Sequence, residues 1–403
     1  MIEFNQDIFG FFLAGLLNNM AFVIMIAGAK NIAPSLVGVV YVCNIVPSFI
    51  VKSSGPYWFH YFQYKLRILI ASILFATSFL VVAIGLMSDM VWLMLLGVTI
   101  GSAASGFGES SFLALTAFYD SRTALTAWSS GTGFAGILGY GWVILFTAGF
   151  GASFKLTLLV ALVLPILYYL NFIFILKPSS ITDTTKQTPL LTDSSRSTTT
   201  PSKEFFTQTK VEEQPVDIAA ETSKMTMKER FNTTLSLWPF IIPLILVYFA
   251  EYAMQSGVWA AMGFPIDSEN SRKEFYEFAN WTYQGGVLIS RSSGLVWKAD
   301  LKALWIMPIG QCFLLIFFIL NAYHQWWYDW SILVLCLVAG LFGGAVYVGG
   351  YALVAETVPV QIKEFSLSAA SLGSDIGIAC ATIAGIFIQQ AIYDYHNISD
   401  DDD

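Results

Sequence analysis

Charged side chains are scarce in this sequence, and that scarcity excludes a water-soluble globular protein. Asp, Glu, Lys and Arg make up only 12% of the 403 residues, whereas they make up roughly a quarter of a typical soluble domain. Hydrophobic residues make up 56%, so we expect lipid to be the solvent for much of the chain. Basic clusters that would follow a nucleic-acid strand are absent as well, and no nucleic-acid partner is expected.

Histidine and cysteine are also scarce, which disfavours a metalloenzyme or a redox protein. The three histidines, His60, His324 and His396, are too scattered to form the ligand cluster of a membrane metalloenzyme. The four cysteines lie singly in apolar runs, without the CxxC spacing of a metal or redox site. Neither a P-loop nor a Gly-x-Ser-x-Gly elbow occurs. We therefore expect no cofactor, no metal and no enzymatic activity.

Long apolar runs are what the sequence has in abundance. A helix needs about 20 mostly apolar residues to cross a bilayer, and eleven segments meet this requirement with soft boundaries. The predicted spans are 8–29, 35–51, 66–87, 90–117, 123–148, 154–176, 235–260, 277–296, 303–321, 329–355 and 365–392. The sequence therefore predicts an all-α polytopic membrane protein with about eleven transmembrane helices.

The distribution of Lys and Arg orients these spans, because basic residues concentrate in cytosolic loops. With a cytosolic N-terminus, sixteen of the 20 Lys and Arg residues face the cytosol and four face the other side. Half of the cytosolic ones lie in a central polar segment that joins two groups of spans. We therefore expect a cytosolic N-terminus and a C-terminus on the far side of the membrane.

Composition divides the chain into four parts. They are a six-helix half at 1–176, a disordered cytosolic loop at 177–234, a five-helix half at 235–393 and an acidic luminal tail at 394–403. The loop is rich in Ser, Thr and charge and cannot bury a core. Its Leu190-Leu191 pair is a candidate sorting signal or a chance occurrence. Asn397 in the tail is a candidate glycosylation site.

An internal repeat relates the two halves. IVKSSGPYW at residues 50–58 matches ISRSSGLVW at residues 289–297, at an offset of 239 residues. Both copies lie where an even-numbered span reaches the cytosol, so the two halves run in the same direction. Parallel repeats are typical of major-facilitator transporters, whose halves rock around a site near the midplane. We therefore predict a major-facilitator-like fold of two parallel pseudo-repeats.

Three carboxylates fall within predicted spans: Glu109 in span four, Glu251 in span seven and Asp375 in span eleven. A charge within a membrane costs roughly 2.5 to 3.5 kcal/mol, so each calls for a reason. In a major-facilitator arrangement, all three helices line or flank the central cavity. We predict that these carboxylates bind substrate or exchange protons. The alternative is that each only accepts hydrogen bonds between helices.

Polar groups on other spans add to the candidate site. Ser129, Ser130 and Thr132 place three hydroxyls close together in span five and are candidates to line a polar path.

Lys52 and Arg291 are the basic pair that the repeat relates. Two roles for them are open, namely binding of an anionic group at the cytosolic mouth, or closure of a gate by pairing with carboxylates such as Glu356 or Asp120. The pseudo-symmetry favours the gate.

Several longer motifs resemble the battenin family, the lysosomal protein of juvenile Batten disease and its vacuolar counterparts in yeasts. The similar motifs are GFGESSFLALTAFY at 106–119, WSSGTG at 128–133, VYFAEY at 247–252, SRSS at 290–293, GGAVYV at 343–348, and KEF at 363–365 continuing to SDIG at 374–377. The resemblance covers nearly all of the membrane portion and leaves out the central loop.

The resemblance implies a multi-pass protein of the vacuolar or lysosomal membrane that affects vacuolar pH and the export of basic amino acids, arginine above all. It also links the chain to glycerophosphodiester clearance. The first hypothesis is a secondary transporter with a small-molecule substrate, with protons as the candidate coupling ion, acting by alternating access. The alternatives are a glycerophosphodiester exporter, or a non-transporting membrane scaffold that regulates the proton pump and trafficking.

Overall fold

The computed structural model describes residues 6–32, 37–176 and 225–398. All regular structure within these ranges is helical, and eleven long helices, numbered α1 to α11, follow one another there. They are Gln6–Ala27, Val37–Trp58, Tyr64–Ser88, Val91–Leu115, Ser121–Ile144, Phe154–Ile175, Trp238–Trp259, Glu269–Ser292, Leu301–His324, Leu333–Thr357 and Val360–His396.

Each of these eleven helices of the described chain overlaps one predicted span, which confirms the all-α polytopic fold. Nine of them are long and apolar enough to cross a membrane, α2 and α8 being the other two, so eleven crossings stay a prediction. Helix α8 begins at Glu269, ahead of the predicted start at 277. Its polar first turn is stabilised because the Ser268 side chain accepts a hydrogen bond from the backbone N–H of Ser271.

The packing of the helices repeats between the two halves. In the first half α1 packs on α5 and α2 packs on α4, and in the second half α7 packs on α11 and α8 packs on α10. The halves meet where α5 packs on α8 and α2 packs on α11. Each of these contacts has its counterpart six helices further along the chain. The fold is therefore the predicted pair of parallel pseudo-repeats.

Glycines bring the helices within each half into close contact. A Cβ atom added at Gly131 of α5 would lie 2.0 Å from the carbonyl oxygen of Phe12 in α1. In the other half, a Cβ atom at Gly340 of α10 would lie 2.1 Å from the carbonyl oxygen of Tyr283 in α8. Such backbone contact between helices requires small residues. These glycines set the spacing of the helices that carry the site.

A further helix, Met227–Ser236, occupies part of the segment predicted to be a disordered loop. We call it the linker helix. The prediction was wrong for this stretch, because Thr226 and Glu229 form a reciprocal capping box that starts the helix. Arg230 is 1% exposed, and its Nη1 donates a hydrogen bond of 2.7 Å to the carbonyl oxygen of Pro56. The helix is thus fastened to the end of α2.

The linker helix marks one end of the bundle, where α2 ends at Trp58 and α8 ends at Ser292. We call this end the linker end.

Hydrogen bonds from Thr226 lower the pKa of the Glu229 carboxyl below its usual range. The predicted sorting pair Leu190-Leu191 lies outside the described residues, as do residues 399–403 of the acidic tail. Asn397 caps the end of α11 with a positive φ of 54°, a backbone conformation that asparagine tolerates.

Candidate substrate cavity

A cavity of about 90 Å³ lies between the two halves. Its walls come from α1, α2, α4 and α5 of the first half and from α7, α8, α10 and α11 of the second. The charged residues of its lining are Lys52, Glu109, Arg291 and Asp375. A polar space of this size holds several water molecules, so the four charges are removed from lipid but remain accessible to small polar species.

Lys52 of α2 lies between two carboxylates that come from different halves. Its Nζ is 2.6 Å from Glu109 Oε2 and 3.0 Å from Asp375 Oδ1. The residues Lys52 and Asp375 are 4% exposed. A buried charge is tolerated only when it is paired, and the shared ammonium therefore stabilises both carboxylates. The three side chains were predicted to lie in or near the cavity, and the structure brings them together.

Tyr347 of α10 connects this cluster to the rest of the cavity. Its hydroxyl donates a hydrogen bond of 3.1 Å to Glu109 Oε1, and it accepts one of 3.2 Å from Trp128 Nε1. Tyr347 is one residue short of the repeat offset from Glu109. The sequence reasoning did not select it, although it lies within one of the family-like motifs.

Arg291 of α8 has a different environment, made of hydroxyls and aromatic rings. Its Nη1 donates to Thr132 Oγ1 at 2.8 Å, and its Nη2 donates to the hydroxyl of Tyr248 at 3.1 Å. The guanidinium carbon lies 4.3 Å from the centre of the Tyr347 ring, a favourable cation–π distance. Among the described residues, no carboxylate lies within 4.0 Å of this guanidinium.

The two repeat-related cations thus hold equivalent positions with different partners. Lys52 on α2 contacts α4 and α11, and Arg291 on α8 contacts α10 and α5. These helices correspond under the repeat. Carboxylates surround Lys52, however, whereas hydroxyls and a ring surround Arg291. The two halves therefore match in the backbone positions of the two cations but differ in the charge of the groups around them.

Several buried polar atoms of the cavity have no hydrogen-bond partner among the described residues. They are Asp375 Oδ2, Arg291 Nε and both side-chain polar atoms of Asn44. Asn44 is 0% exposed and lines the cavity, and sequence reasoning missed it. Buried polar groups are usually satisfied by protein, water or ligand. These atoms are therefore positioned to bind a polar species inside the cavity.

The predicted hydroxyls of α5 lie on different sides of that helix. Thr132 lines the cavity, where it accepts the hydrogen bond from Arg291. Ser130 Oγ lies 2.7 Å from Ser292 Oγ, across the interface between the halves. Ser129 is fully buried, and its hydroxyl oxygen has no partner among the described residues. Of these three predicted hydroxyl residues, only Thr132 therefore lines the cavity.

Glu251 of α7 is 3% exposed but is not among the residues that line the cavity. Its Oε2 would lie 2.2 Å, and the hydroxyl oxygen of Tyr283 in α8 would lie 3.6 Å, from a Cβ atom added at Gly343 of α10. The carboxylate is therefore enclosed within the second half. It is separated from the pair formed by Glu109 and Asp375.

The expected pairing of Lys52 or Arg291 with Glu356 or Asp120 does not occur. Glu356 Oε2 lies 2.6 Å from Lys298 Nζ at the linker end, and the Asp120 carboxylate accepts from Thr123 within its own helix turn. These two partners were predicted wrongly because both cations point inward, to nearer partners, whereas the gate role itself stays a prediction.

The contact between the halves at the linker end involves other residues. Tyr64 of α3 donates a hydrogen bond of 2.5 Å to Glu364 of α11, and Arg67 Nη2 lies 3.7 Å from the same carboxylate. Sequence reasoning did not select Tyr64 or Glu364, because only the folded chain brings them together across 300 residues.

Within the described part of the chain, no group of three or more His, Cys, Asp or Glu side chains is arranged to hold a metal ion.

Comparison with known proteins identifies the relatives of the chain. The model of the CLN3 protein family matches residues 9–395. The Neurospora crassa protein btn-1 is 31% identical over 94% of this chain and 86% of its own length. The Kluyveromyces lactis protein BTN1 is 32% identical over 95% and 93%, and battenin of Canis lupus familiaris is 29% identical over 94% and 90%.

Solved structures show the same architecture at low sequence identity. The Escherichia coli fucose:proton symporter superposes with a TM-score of 0.57 at 12% identity, over 98% of both chains. The proton:xylose symporter XylE of the major facilitator superfamily superposes with a TM-score of 0.58 at 13% identity, over 98% of this chain and 90% of its own. These similarities establish the major-facilitator fold.

Proposed function

The chain belongs to the CLN3 protein family, and on that premise we propose that it is a secondary transporter of the vacuolar or lysosomal membrane. The proposed cargo is a basic amino acid, arginine above all, moved by alternating access with the linker end in the cytosol. The observation that carries the proposal is the buried ion pair between Lys52 of one half and Asp375 of the other, inside a polar cavity. Such an ion pair has to break whenever the halves separate.

The size of the cavity and its walls support alternating access. Pockets that enclose small molecules measure about 300 to 1,000 Å³, whereas this cavity measures about 90 Å³. The halves must therefore move apart at one end before an amino acid enters. The fold permits that motion, since each half packs internally through backbone contacts at Gly131 and Gly340. Contacts between the halves include side-chain pairs, such as Lys52 with Asp375 and Ser130 with Ser292.

Asp375 and Glu109 provide the binding chemistry for a cation. Asp375 Oδ2 has no hydrogen-bond partner among the described residues, so an entering guanidinium or ammonium gains a charge-assisted hydrogen bond there. The same cation competes with Lys52 for both carboxylates. Binding of substrate thereby weakens the connection between the halves, which couples occupancy to movement.

Protons are the proposed coupling ion. When the cavity opens to an acidic lumen, Glu109, Asp375 and the enclosed Glu251 are the groups that take up protons, and they release them on the cytosolic side. Each cycle would then move protons out of the vacuole together with cargo. Vacuolar pH would change as a direct consequence of transport.

A glycerophosphodiester is the second candidate cargo, and Arg291 is the observation that favours it. The guanidinium lines the cavity without a carboxylate within 4.0 Å among the described residues. A phosphodiester is a suitable partner for it, because Arg binds phosphate oxygens through two parallel hydrogen bonds.

Uptake of radiolabelled arginine into liposomes that contain only the purified protein tests the proposal. We expect uptake that is stimulated by a proton gradient, and we expect Asp375→Asn and Glu109→Gln each to reduce it by about tenfold or more, the loss of one charge-assisted hydrogen bond. Glu356→Gln is the matched control, because this carboxylate pairs with Lys298 outside the cavity. Equal uptake by all four proteins would contradict the assignment, and no uptake of either cargo would favour the scaffold.

A further inference from the structure

We propose that the cavity is bipolar, with Arg291 binding an anionic group of the substrate while Asp375 and Glu109 bind a cationic group, so that only solutes carrying both groups are transported. This inference rests on the proposed transport function and narrows its substrate class. It also assigns different roles to the two cations that the repeat makes equivalent.

The two sides of the cavity carry opposite charges. Lys52 is shared by Glu109 and Asp375, so with all groups ionised this cluster carries one negative charge in excess. Arg291 carries one positive charge, held by Thr132 and Tyr248 through neutral hydroxyls. The cavity therefore has a negative side and a positive side. A ligand with an anion and a cation neutralises both.

Tyr347 separates the two sides of the cavity. The face of its ring lies against the Arg291 guanidinium, 4.3 Å from ring centre to guanidinium carbon. Its hydroxyl, at the far end of the same side chain, donates to Glu109. One side chain thus holds the two charges apart. Direct neutralisation of Arg291 by Glu109 would otherwise leave the cavity without a positive site.

Polar atoms without a hydrogen-bond partner among the described residues occur on both sides of the cavity. Arg291 Nε has no hydrogen-bond partner among the described residues, and the same is true of Asp375 Oδ2 and the Asn44 amide. Donor capacity is available at Arg291 and acceptor capacity at Asp375. Both residues line the same cavity. Leaving such atoms unpaired costs free energy that a ligand with matching groups recovers.

Glu251 is the remaining carboxylate near Arg291, and it does not fill this role. It lies beside Gly343 of α10, outside the lining of the cavity. No nitrogen–oxygen pair between the Arg291 guanidinium and the Glu251 carboxylate lies within 4.0 Å, both residues being described. The guanidinium therefore remains available to an anion that enters the cavity.

Matched pairs of competitors test the inference in liposomes that take up radiolabelled arginine. Argininamide differs from arginine only in lacking the carboxylate, and choline is the cationic part of glycerophosphocholine. We expect argininamide to compete at least about tenfold more weakly than arginine, the effect of one lost charged hydrogen bond. Choline should likewise compete at least about tenfold more weakly than glycerophosphocholine. The stronger of the two complete solutes shows whether the anion is a carboxylate or a phosphodiester.

The Arg291→Met variant should remove the preference for solutes that carry the anionic group. Arginine and argininamide should then compete equally, and so should glycerophosphocholine and choline. Arg291→Lys should restore part of the preference, which a merely structural role of the arginine would not require. Lys298→Met, at the linker end, should leave the preference unchanged. If Arg291→Met does not fold, the competition of argininamide relative to arginine, and of choline relative to glycerophosphocholine, still tests the inference on the unmodified protein.

Equal competition by argininamide and arginine, and by choline and glycerophosphocholine, would overturn the bipolar cavity and leave the transport function intact. Absence of uptake for all solutes would overturn the transport function and the inference with it. The two failures are therefore distinguishable in one assay.

Discussion

Lys52 Nζ and Asp375 Oδ1 are 3.0 Å apart although 323 residues separate them in the sequence. Their ion pair joins α2 of the first half to α11 of the second, at a position where both side chains are almost completely buried. The same ammonium lies 2.6 Å from Glu109. A single cation therefore holds together a charge cluster that spans the interface between the two halves.

Replacement of Lys52 by methionine should destabilise the protein strongly. The variant leaves two carboxylates close together without a cation, and loss of one partner of a buried ion pair costs about 3 to 5 kcal/mol. Thermal unfolding of the purified protein in detergent measures the effect. The double variant Lys52→Met with Asp375→Asn should recover part of the loss. Lys298→Met is the control, because this exposed pair is worth only about 0 to 1 kcal/mol.

Replacement of Tyr347 by phenylalanine should reduce transport while it preserves the ring beneath Arg291. The variant removes the hydrogen bond to Glu109, and bonds to charged groups contribute about 1.5 to 3 kcal/mol. We expect arginine uptake to fall by about tenfold or more. Tyr61→Phe serves as the control, since Tyr61 is 77% exposed. Full activity of the Tyr347 variant would show that the hydroxyl does not position Glu109.

Addition of a single methyl group at Gly131 should disrupt the packing of α1 on α5. The new Cβ atom would lie 2.0 Å from a backbone carbonyl oxygen of α1, and overpacking of this kind costs about 1 to 3 kcal/mol. Gly141→Ala in the same helix is a matched control, because no atom lies within 4 Å of the added Cβ. Thermal unfolding should separate the two variants. Equal melting temperatures would contradict the close approach of the helices.

Replacement of Arg230 by methionine should release the linker helix from the end of α2. The variant loses the hydrogen bond to the Pro56 carbonyl and the contact of the guanidinium with the Phe365 ring, 5.6 Å away. Limited proteolysis should then cleave within 225–236 faster than in the unmodified protein. Lys228→Met is the control on the same helix, where the side chain is exposed. A cleavage rate that is the same for both variants would contradict the anchoring role.

The sequence was sufficient to predict the fold because its two main signals are local. Apolar runs identify helices one at a time, and the match between residues 50–58 and 289–297 relates the two halves without any structure. The linker helix was missed, although Thr226 and Glu229 have the spacing of a capping box. The polar composition of the whole loop predicts disorder, and a prediction based on composition does not detect a motif as short as this one.

The site was only partly predictable because its contacts are made across long sequence separations. Charge within apolar spans selects Glu109, Asp375 and Glu251 alike, and hydropathy does not tell which face of its helix each carboxylate occupies. The structure places the first two in the cavity and encloses Glu251 behind its lining. Asn44 carries no charge and therefore gave no signal, although it lines the cavity.

Distance measurements between spin labels test the central claim that two halves move around this cavity. The four native cysteines, Cys43, Cys312, Cys336 and Cys380, would first be replaced by serine or alanine. One pair of labels would replace the exposed residues Tyr61 and Val296 at the linker end, and another pair would replace Met87 and Trp326 at the opposite end. Met87 and Trp326 are equivalent at the repeat offset of 239 residues, and Tyr61 and Val296 each lie just after the second helix of their half.

We expect the two distances to change in opposite directions. When arginine and a proton gradient shift the protein between states in liposomes, the labels at the linker end should separate while those at the other end approach, and the reverse should occur in the return step. Distances at both ends that stay the same with and without arginine, at acidic and at neutral pH, would contradict alternating access.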